Sequence, residues 1–256
     1  MDSLSQFSLA GRRALVTGSS RGIGFAIATA LAGAGAELVL NARDKVALGE
    51  AAAKLAEGGA RARGVAFDVT SSESVREAVD YIESDIGPID ILVNNAGMQH
   101  RAPLEDFPED MFERVMSTNL SSVFIVGQAV ARRMIPRGRG KIINITSLVS
   151  TVARKTIAPY GASKAAVANL TRSMAVEWAQ HGINTNGIAP GYFKTELNEA
   201  LVANPEFNSW VETRTPQGRW GDVAELGGAA IFLASDAASF VNGHILYVDG
   251  AFMATV

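Results

Sequence analysis

The sequence predicts an α/β fold built on a doubly wound, seven-stranded and mostly parallel sheet with helices on both faces, within a single domain over residues 1–256. Two observations predict this fold. Short apolar segments alternate with longer segments of helical periodicity, which is the pattern of βαβ units that feed a parallel sheet. Glycine or proline separates these segments, as in "GAGA", "IGPID" and "PRGRG", where each helix should end and the next strand begin.

The predicted strands share a short run of apolar and often β-branched residues that is too short for a helix. They are Ala14–Thr17, Leu38–Asn41, Ala62–Phe67, Ile89–Asn94, Lys141–Ile145, Asn184–Ala189 and His244–Val248. Nearly continuous apolar runs of this kind are typical of parallel strands that are buried on both faces. The strands are therefore expected in the interior of the domain.

The predicted helices carry apolar residues at helical spacing over longer stretches. They are Ile23–Ala34, Val46–Glu57, Ser74–Ile86, Glu109–Ile135, Tyr160–Gln180 and Ala224–Ala234. The connection over residues 191–221 is too long for a plain loop. We expect it to form short helices that cover the ligand crevice and the substrate.

Composition excludes several classes of function. Hydrophobic residues make up 48% of the 256 residues, charged residues 19%, and the formal net charge is −3, so nothing predicts a nucleic-acid partner. The chain has no cysteine, which excludes disulfides, thiolate metal sites and a thiol nucleophile. Its histidines, His100, His181 and His244, lack the spacing of metal ligands, so no metal site is predicted.

The N-terminal segment "MDSLSQFSLAGRRALVTG" lacks a basic stretch followed by an apolar one. No part of the chain reaches about 18 unbroken apolar residues, the length of a membrane-spanning helix. We therefore expect a soluble, cytoplasmic protein with no membrane partner.

A glycine-rich turn joins the first strand to the first helix in "ALVTGSSRGIGFAIATALA", with Gly18, Gly22 and Gly24 in the spacing G-x-x-x-G-x-G. Glycines at the carboxyl end of a strand let the backbone approach a pyrophosphate that faces a helix N-terminus. Three glycines alone are equally compatible with an ordinary turn. The strand–turn–helix context favours a phosphate-bearing cofactor.

The end of the second strand indicates which nicotinamide cofactor is bound. Many NAD-binding folds place a carboxylate there for the ribose 2′-hydroxyl. Here the strand ends in Asn41 and is followed by Arg43, with no carboxylate before Asp44. Arg43, and Arg21 in the glycine turn, suit a 2′-phosphate because guanidinium matches phosphate oxygens. NADP(H) is therefore predicted in preference to NAD(H), which stays possible, and the alternative is that both arginines are solvated surface residues.

Five motifs appear in a fixed order along the chain: "TGSSRGIG" at 17–24, "NNAG" at 94–97, Ser147, "YGASK" at 160–164 and "PG" at 190–191. With these motifs the chain resembles the short-chain dehydrogenase/reductase family. The resemblance implies a one-domain, Rossmann-like, NAD(P)-binding fold, oxidoreductase activity on CH–OH groups, and a homotetramer or homodimer. The apolar C-terminal segment "GHILYVDGAFMATV" suits a subunit contact, although burial within its own chain would give the same pattern.

The resemblance also assigns roles to single residues. The implied catalytic residues are Asn119, Ser147, Tyr160 and Lys164. Together with the turn and strand residues above, the expected cofactor contacts are Gly18, Ser20, Arg21, Gly22, Ile23, Gly24, Asn41, Arg43, Asp68, Val69, Asn95, Ala96, Gly97, Tyr160, Lys164, Pro190, Gly191 and Thr195.

Tyr160 and Lys164 stand four residues apart and so share one helix face. A neighbouring ammonium favours a phenolate, whereas burial opposes it. We expect the charge of Lys164 to outweigh the cost of desolvation and to lower the pKa of Tyr160. Tyr160 would then exchange a proton with the carbonyl oxygen, Ser147 would bind that oxygen, and Asn119 would hold a water in the proton relay. The alternative is an ordinary packing pair on an amphipathic helix.

Longer segments, among them "FSLAGRRALVTGSSRGIG" and "GIAPGYFKTE", resemble sugar-acid dehydrogenases of the family. This resemblance implies a small-molecule substrate, a sugar acid or polyol, on which the enzyme interconverts a secondary alcohol and a ketone. The first candidates are D-gluconate and 5-keto-D-gluconate. Such relatives carry "S-x-Q-S-E" after the catalytic serine, where this chain has Val149 and Thr151 in place of Gln and Glu. The expected substrate contacts are Arg101, Val149, Arg154 and Tyr192.

Two alternatives stay open at this stage. A 3-oxoacyl-(acyl carrier protein) reductase, or another ketone reductase of the family, would use the same catalytic set with a longer apolar groove. A non-catalytic, NADP-sensing protein is the remote alternative, because such proteins lose the tyrosine or lysine that this chain keeps.

Overall fold

A computed structural model describes residues 4–255 and contains a seven-stranded sheet in which every strand pair is parallel. The strands are β1 Arg13–Val16, β2 Glu37–Leu40, β3 Ala62–Gly64, β4 Ile91–Asn94, β5 Gly140–Ile145, β6 Ile183–Pro190 and β7 Ile245–Val248. Their order across the sheet is β3-β2-β1-β4-β5-β6-β7. The predicted fold class and all seven predicted strands are confirmed, with shifts of one to three residues at most ends.

Nine α-helices lie among the described residues, connecting or following these strands. They are α1 Gly22–Gly33, α2 Lys45–Glu57, α3 Ser72–Tyr81, α4 Glu109–Met116, α5 Ser122–Met134, α6 Ala158–Trp178, α7 Glu199–Val202, α8 Pro205–Arg214 and α9 Leu226–Ala234. Helices α7 and α8 form within the long connection that follows β6. No helix of residues 4–255 is both long and apolar enough to cross a bilayer.

The sheet separates two apolar cores because successive residues of a strand point to opposite faces. In β1, Ala14 and Val16 pack with α1, α2 and α9, whereas Leu15 packs with α3 and α5. Helix α6 continues the second layer by packing against α5 through Val167 and Met174. Both faces of the sheet are thus covered, which explains the nearly continuous apolar strands.

The strand order reverses between β1 and β4, so a crevice opens at the carboxyl ends of these two strands. The turn after β1 closes one side of this crevice and the segment after β4 closes the other. At Gly18, which has a φ of +60°, a Cβ atom would lie 2.8 Å from the Cα of Ala96, so the close approach of the two segments requires glycine.

Two of the predicted helices are interrupted. The segment predicted as one helix over Glu109–Ile135 consists of α4, a wider turn at Ser117–Ser121 with i→i+5 geometry, and α5. The wider turn contains Asn119, whose side chain is engaged outside the helix, and such turns frequently mark functional positions. A second wide turn, Ile82–Ile86, follows α3 where the prediction had continued helix.

Candidate active site

One long cleft runs along the carboxyl edge of the sheet. Its larger part has a volume of about 630 Å³, and an adjoining part of about 380 Å³ lies between the ends of β2 and β4. The two parts share Gly18, Ser20, Arg21 and Gly97 in their walls. A ligand with two linked halves therefore suits this cleft better than a compact one.

The structure brings most of the predicted site residues to this cleft. The larger part is lined by Gly18, Ser20, Arg21, Gly22, Ile23, Gly24, Asn95, Gly97, Arg101, Ser147, Val149, Arg154, Tyr160, Lys164, Pro190, Gly191, Tyr192 and Thr195. The smaller part adds Asn41, Arg43, Asp68, Val69 and Ala96. Asn119 lies behind the wall, fully buried.

The glycine turn is fastened to the end of β4 by hydrogen bonds. Asn95 Nδ2 donates to the carbonyl oxygens of Thr17 at 2.9 Å and Gly18 at 2.8 Å, and the Thr17 hydroxyl accepts from the backbone N–H groups of Asn95 and Ala96. At Gly24, a Cβ would lie 2.4 Å from both Asn95 Nδ2 and the Gly18 carbonyl. The Asn95 side chain therefore holds the turn, and sequence reasoning missed Thr17 as its partner.

Asn41 was expected to contact the cofactor, but its side chain turns into the protein. Its Nδ2 donates to the carbonyl oxygens of Phe67 at 3.0 Å and Val65 at 3.3 Å, and the residue is 1% exposed. The backbone N–H of Asn41 donates to the Ser19 hydroxyl. Buried amides need such partners, so Asn41 braces the ends of neighbouring strands in the wall of the smaller cavity, and its contact with the cofactor stays a prediction.

The carboxylates beside the smaller cavity are engaged locally. Asp44 caps α2 by accepting hydrogen bonds from the backbone N–H groups of Val46 and Ala47. Asp68 Oδ1 accepts from the backbone and hydroxyl of Thr70, which holds the pKa of Asp68 below its ordinary value, and the charge of Arg43 adds to this effect. Arg43 has no carboxylate oxygen within 4.0 Å among residues 4–255. Its guanidinium is therefore available to a phosphate.

Arg21 reaches across the cleft instead of standing free. Its Nη1 lies 3.1 Å from Glu196 Oε2 on the opposite wall, and both side chains are exposed. Exposed ion pairs of this kind contribute little free energy. The pair therefore links the two walls without fixing them.

Lys164 is buried and Tyr160 is partly buried, and both line the cleft with Ser147, but their electrostatics differ from the expectation. Burial raises the pKa of Tyr160 above its ordinary value, and a hydrogen bond with Ser147 only opposes this shift. Lys164 Nζ donates to the Ile145 carbonyl at 2.7 Å and lies 5.8 Å from the Tyr160 ring centroid. Burial lowers the pKa of Lys164 to about 8.

The predicted lowering of the Tyr160 pKa by Lys164 is therefore wrong in direction here. The physical reason is that both groups are desolvated, and loss of water penalises whichever form is charged. Tyr160 is consequently a neutral phenol at pH 7, ready to donate a proton.

Asn119 connects the segment after β4 to helix α6, which carries Tyr160 and Lys164. Its Oδ1 accepts from the Met98 N–H at 2.8 Å, and its Nδ2 donates to the Met98 carbonyl at 2.9 Å and to the Ser163 hydroxyl at 3.1 Å. Ser163 in turn donates to the Tyr160 carbonyl at 2.7 Å. Sequence reasoning missed Ser163, although its position inside "YGASK", three residues after the tyrosine, was a usable signal.

Thr195 supports a bound cofactor. Its hydroxyl oxygen is buried in the cleft wall and has no hydrogen-bond partner among residues 4–255. Leaving a buried polar group unpaired costs about 1 to 3 kcal/mol, so a polar ligand group at this position is favoured. Together with the crevice that Gly18 and Gly24 keep open, this hydroxyl fits a nicotinamide dinucleotide in the cleft.

Beyond Tyr160, the cleft wall carries two guanidinium groups. Arg101 and Arg154 both line it, and burial lowers the pKa of Arg101, with a further contribution from the charge of Arg154. Burial raises the pKa of Tyr192, which lines the same wall, and the charge of Arg154 opposes this shift. A cleft with two positive groups close together suits an anionic ligand.

The structure separates Val149 and Thr151, the two residues that stand where the family resemblance led us to expect Gln and Glu. Val149 is buried and lines the cleft. The Thr151 hydroxyl instead bonds to the hydroxyl of Tyr247, outside the cleft lining. Only Val149 of this pair therefore changes the polarity of the wall.

A parallel α/β sheet with a dinucleotide-shaped cleft at its switch point, and a serine, tyrosine and lysine at one end of that cleft, defines a nicotinamide-dependent oxidoreductase. Comparison with protein families gives the same class. The family model described as enoyl-(acyl carrier protein) reductase matches residues 18–252. The chain belongs to the short-chain dehydrogenase/reductase family.

Among relatives, the gluconate 5-dehydrogenase of Gluconobacter oxydans (strain 621H) is 58% identical over 95% of both chains. The 5-keto-D-gluconate 5-reductase of Escherichia coli (strain K12) is 51% identical over 98% of both chains. A crystal structure of a gluconate 5-dehydrogenase from Burkholderia cenocepacia J2315, in complex with NADP and tartrate, superposes with a TM-score of 0.97 at 54% identity, over 99% of each chain.

Proposed function

We propose that this chain is an NADP(H)-dependent oxidoreductase that interconverts D-gluconate and 5-keto-D-gluconate. The observation that carries the proposal is the pairing, in one cleft, of Ser147 and Tyr160 with the guanidinium groups of Arg101 and Arg154. Ser147 and Tyr160 would bind and protonate a carbonyl oxygen. Arg101 and Arg154 would bind a carboxylate. The names of the Gluconobacter and Escherichia relatives, which share most of their length with this chain, support the same substrate pair.

NADP(H) is the cofactor that the cleft supports best. Arg43 is free to meet a 2′-phosphate, whereas Asp44, the first carboxylate after β2, is occupied as a helix cap. The bound NADP of the Burkholderia relative agrees with this preference. The smaller cavity would hold the adenosine half, and the larger one the nicotinamide half near Thr195.

When bound, the nicotinamide supplies or accepts the hydride. In reduction, the neutral phenol of Tyr160 donates its proton to the carbonyl oxygen, and Ser147 donates a hydrogen bond to the same oxygen. Lys164 keeps its ammonium on the Ile145 carbonyl beside the tyrosine ring and adjoins Gly97 in the cofactor wall. Asn119 fixes the Met98 backbone and, through Ser163, the helix turn that carries Tyr160.

The substrate end of the cleft supports a sugar acid. Arg101 and Arg154 would bind the carboxylate, and Tyr192 would close the wall beside them. Val149 places an apolar group where the family resemblance led us to expect an amide, so one substrate hydroxyl would face a weaker partner there. Helices α7 and α8 would cover the substrate, as the sequence led us to expect for residues 191–221.

The proposed reaction is tested by assaying sugar acids, polyols and ketones with NADPH and NADH in parallel, following absorbance at the nicotinamide band. Wild type should act on D-gluconate and 5-keto-D-gluconate with NADP(H). Tyr160→Phe should lose turnover by about 100-fold or more, because it lacks the transferable proton, while binding NADPH normally. Retained turnover in Tyr160→Phe would refute the role of this residue, and a preference for NADH would refute the argument from Arg43.

We also propose that the chain forms a single domain and is located in the cytoplasm. We propose further that it assembles into a homo-oligomer, a tetramer in preference to a dimer. The oligomer is supported by apolar side chains that stand exposed on the helices, among them Phe112, Phe124 and Val176. The C-terminal segment is partly used within its own chain, since Phe252 is buried beside the catalytic turn. Cell fractionation tests the location.

A further inference from the structure

The guanidinium of Arg154 is stacked on an aromatic side chain of the long connection. Its central carbon lies 4.3 Å from the Phe207 ring centroid and 5.9 Å from that of Tyr192. Arg154 and Tyr192 line the cleft, whereas Phe207 lies behind them and is not part of the cavity wall. A ring that covers the flat face of a guanidinium leaves its N–H donors free at the edge.

These donors face no carboxylate of the protein. Among residues 4–255, neither Arg154 nor Arg101 has an acidic oxygen within 4.0 Å. Arg101 bonds only to the neutral Gln99 amide oxygen, at 3.2 Å. Two positive groups that repel each other without a counter-ion are best satisfied by a carboxylate that enters with a ligand.

The position of Phe207 is set by helix α8 and by the aromatic rings around it. Phe207 packs against Tyr192 and Trp220 at centroid distances of 5.8 and 6.2 Å. Trp220 Nε1 donates to Asn208 Oδ1 at 2.8 Å, which ties the helix to the following segment. The stack on Arg154 is thus carried by a braced helix.

We propose that Phe207 is a positioning residue for substrate recognition: from helix α8 it holds the Arg154 guanidinium so that its donors meet the substrate carboxylate. This inference rests on the proposed function, because it assumes that the ligand is a sugar acid. It makes α8 a determinant of selectivity for charged over neutral polyols, through a residue that does not contact the substrate.

The test compares Phe207→Leu, which keeps an apolar side chain but loses the ring face, with Phe207→Tyr, which keeps the ring. KM for D-gluconate should rise by about tenfold in Phe207→Leu, with kcat nearly unchanged, and should return close to wild type in Phe207→Tyr. D-Glucitol carries a hydroxymethyl group in place of the carboxylate. Its KM, or its Ki as an inhibitor, should be the same in wild type and Phe207→Leu.

Trp210→Leu is the matched control, because Trp210 lies on the same helix and packs at 5.3 Å on Phe207, but its ring contacts no cation of the described residues 4–255. Its KM for D-gluconate should stay within about twofold of wild type. An equal rise in Trp210→Leu, an equal rise for D-glucitol, or no rise in Phe207→Leu would overturn the proposal. Binding of NADPH should be unaltered in all three variants.

Failure of the proposed function would look different. If wild type does not turn over D-gluconate, the function fails, and the positioning role is then measured by titrating D-gluconate against intrinsic tryptophan fluorescence, which Trp210 and Trp220 provide near the stack. Weaker binding in Phe207→Leu but not in Phe207→Tyr supports the proposal under that outcome. Equal binding in wild type and both variants refutes it.

Discussion

At the scale of single residues, burial affects the pKa values of the proposed catalytic pair, Tyr160 and Lys164, more than their mutual attraction does. Loss of water disfavours the charged form of both Tyr160 and Lys164, so the pKa of the phenol rises and that of the ammonium falls to about 8. Near neutral pH the phenol keeps its proton and the lysine keeps most of its charge. This state suits reduction of a carbonyl, because the phenol of Tyr160 carries the proton that it would donate.

The lowered pKa of Lys164 predicts a pH dependence of stability. Between pH 8 and its ordinary pKa of 10.5, the unfolded chain holds a proton on Lys164 that the folded chain has released. Stability rises with pH wherever the unfolded state binds more protons, so wild type should gain up to about 1.4 kcal/mol per pH unit there. Lys164→Met lacks this gain.

Urea unfolding of both proteins from pH 7 to pH 9.5 measures the difference. Below pH 8 the free-energy difference between them should be nearly constant, and above pH 8 it should shift in favour of wild type. Parallel curves over the whole range would contradict a pKa near 8 for Lys164.

The residues of the site were predicted with uneven success for physical reasons. Motif order could place Ser147, Tyr160 and Lys164 in one cleft, since the carboxyl ends of parallel strands meet at one edge. It could not foresee that Asn41 turns inward, because that depends on carbonyl groups of another strand. The direction of the Tyr160 pKa was also out of reach, because it depends on how completely the side chain is buried.

At the scale of elements, the strand–turn–helix unit at the start of the chain depends on close backbone packing. Two of the three glycines in helix α1, Gly24 and Gly33, have opposite surroundings. A Cβ at Gly24 would collide with Asn95 and with the Gly18 carbonyl, whereas a Cβ at Gly33 would meet nothing within 4 Å. The first glycine is required by tertiary contact and the second is not.

Gly24→Ala should therefore destabilise the protein by about 1 to 3 kcal/mol and weaken NADPH binding by displacing the turn. Gly33→Ala, in the same helix, should be neutral or stabilising by up to about 1 kcal/mol, because alanine lowers the entropy of the unfolded chain. Urea unfolding and NADPH fluorescence titration measure both effects. Equal behaviour of the two variants would show that the turn tolerates the added methyl group.

The elements show where periodicity stops being informative. It placed every strand, but it merged α4 and α5, because the wide turn at Asn119 keeps the apolar spacing nearly unchanged. The turn accompanies hydrogen bonds to Met98, a residue far away along the chain. The apolar periodicity of a helix cannot show a hydrogen-bond partner that lies outside that helix.

At the scale of the whole molecule, the outer helices carry large apolar side chains that are exposed to solvent, which is unfavourable for an isolated chain. Phe124 on α5 is 49% exposed and Val176 on α6 is 81% exposed, on the same side of the sheet. Exposed apolar side chains grouped on one side of a molecule mark interaction surfaces. A second copy of the chain is the partner that the proposed homo-oligomer provides.

We therefore expect light scattering to give a fourfold multiple of the chain mass for wild type. Phe124→Asp should lower it to a dimer or monomer, because a carboxylate in an apolar contact loses its water without a partner. Tyr81→Asp, at a comparably exposed site at the end of α3, is the control and should leave the mass unchanged. A monomeric wild type would refute the oligomer, and an unchanged mass in Phe124→Asp would refute this surface as its contact.

Because all strands of the sheet are parallel, the proposed active site lies at one edge of the sheet and the opposite edge is free of it. Every predicted reactive group follows the carboxyl end of a strand, while the amino ends are closed by ion pairs such as Arg13–Glu37 at 2.5 Å and Arg139–Asp90 at 3.1 Å. A tether, tag or solid support attached at the amino ends would leave the path of substrate and cofactor unobstructed. Immobilisation chemistry can therefore be chosen from the polarity of the strands alone.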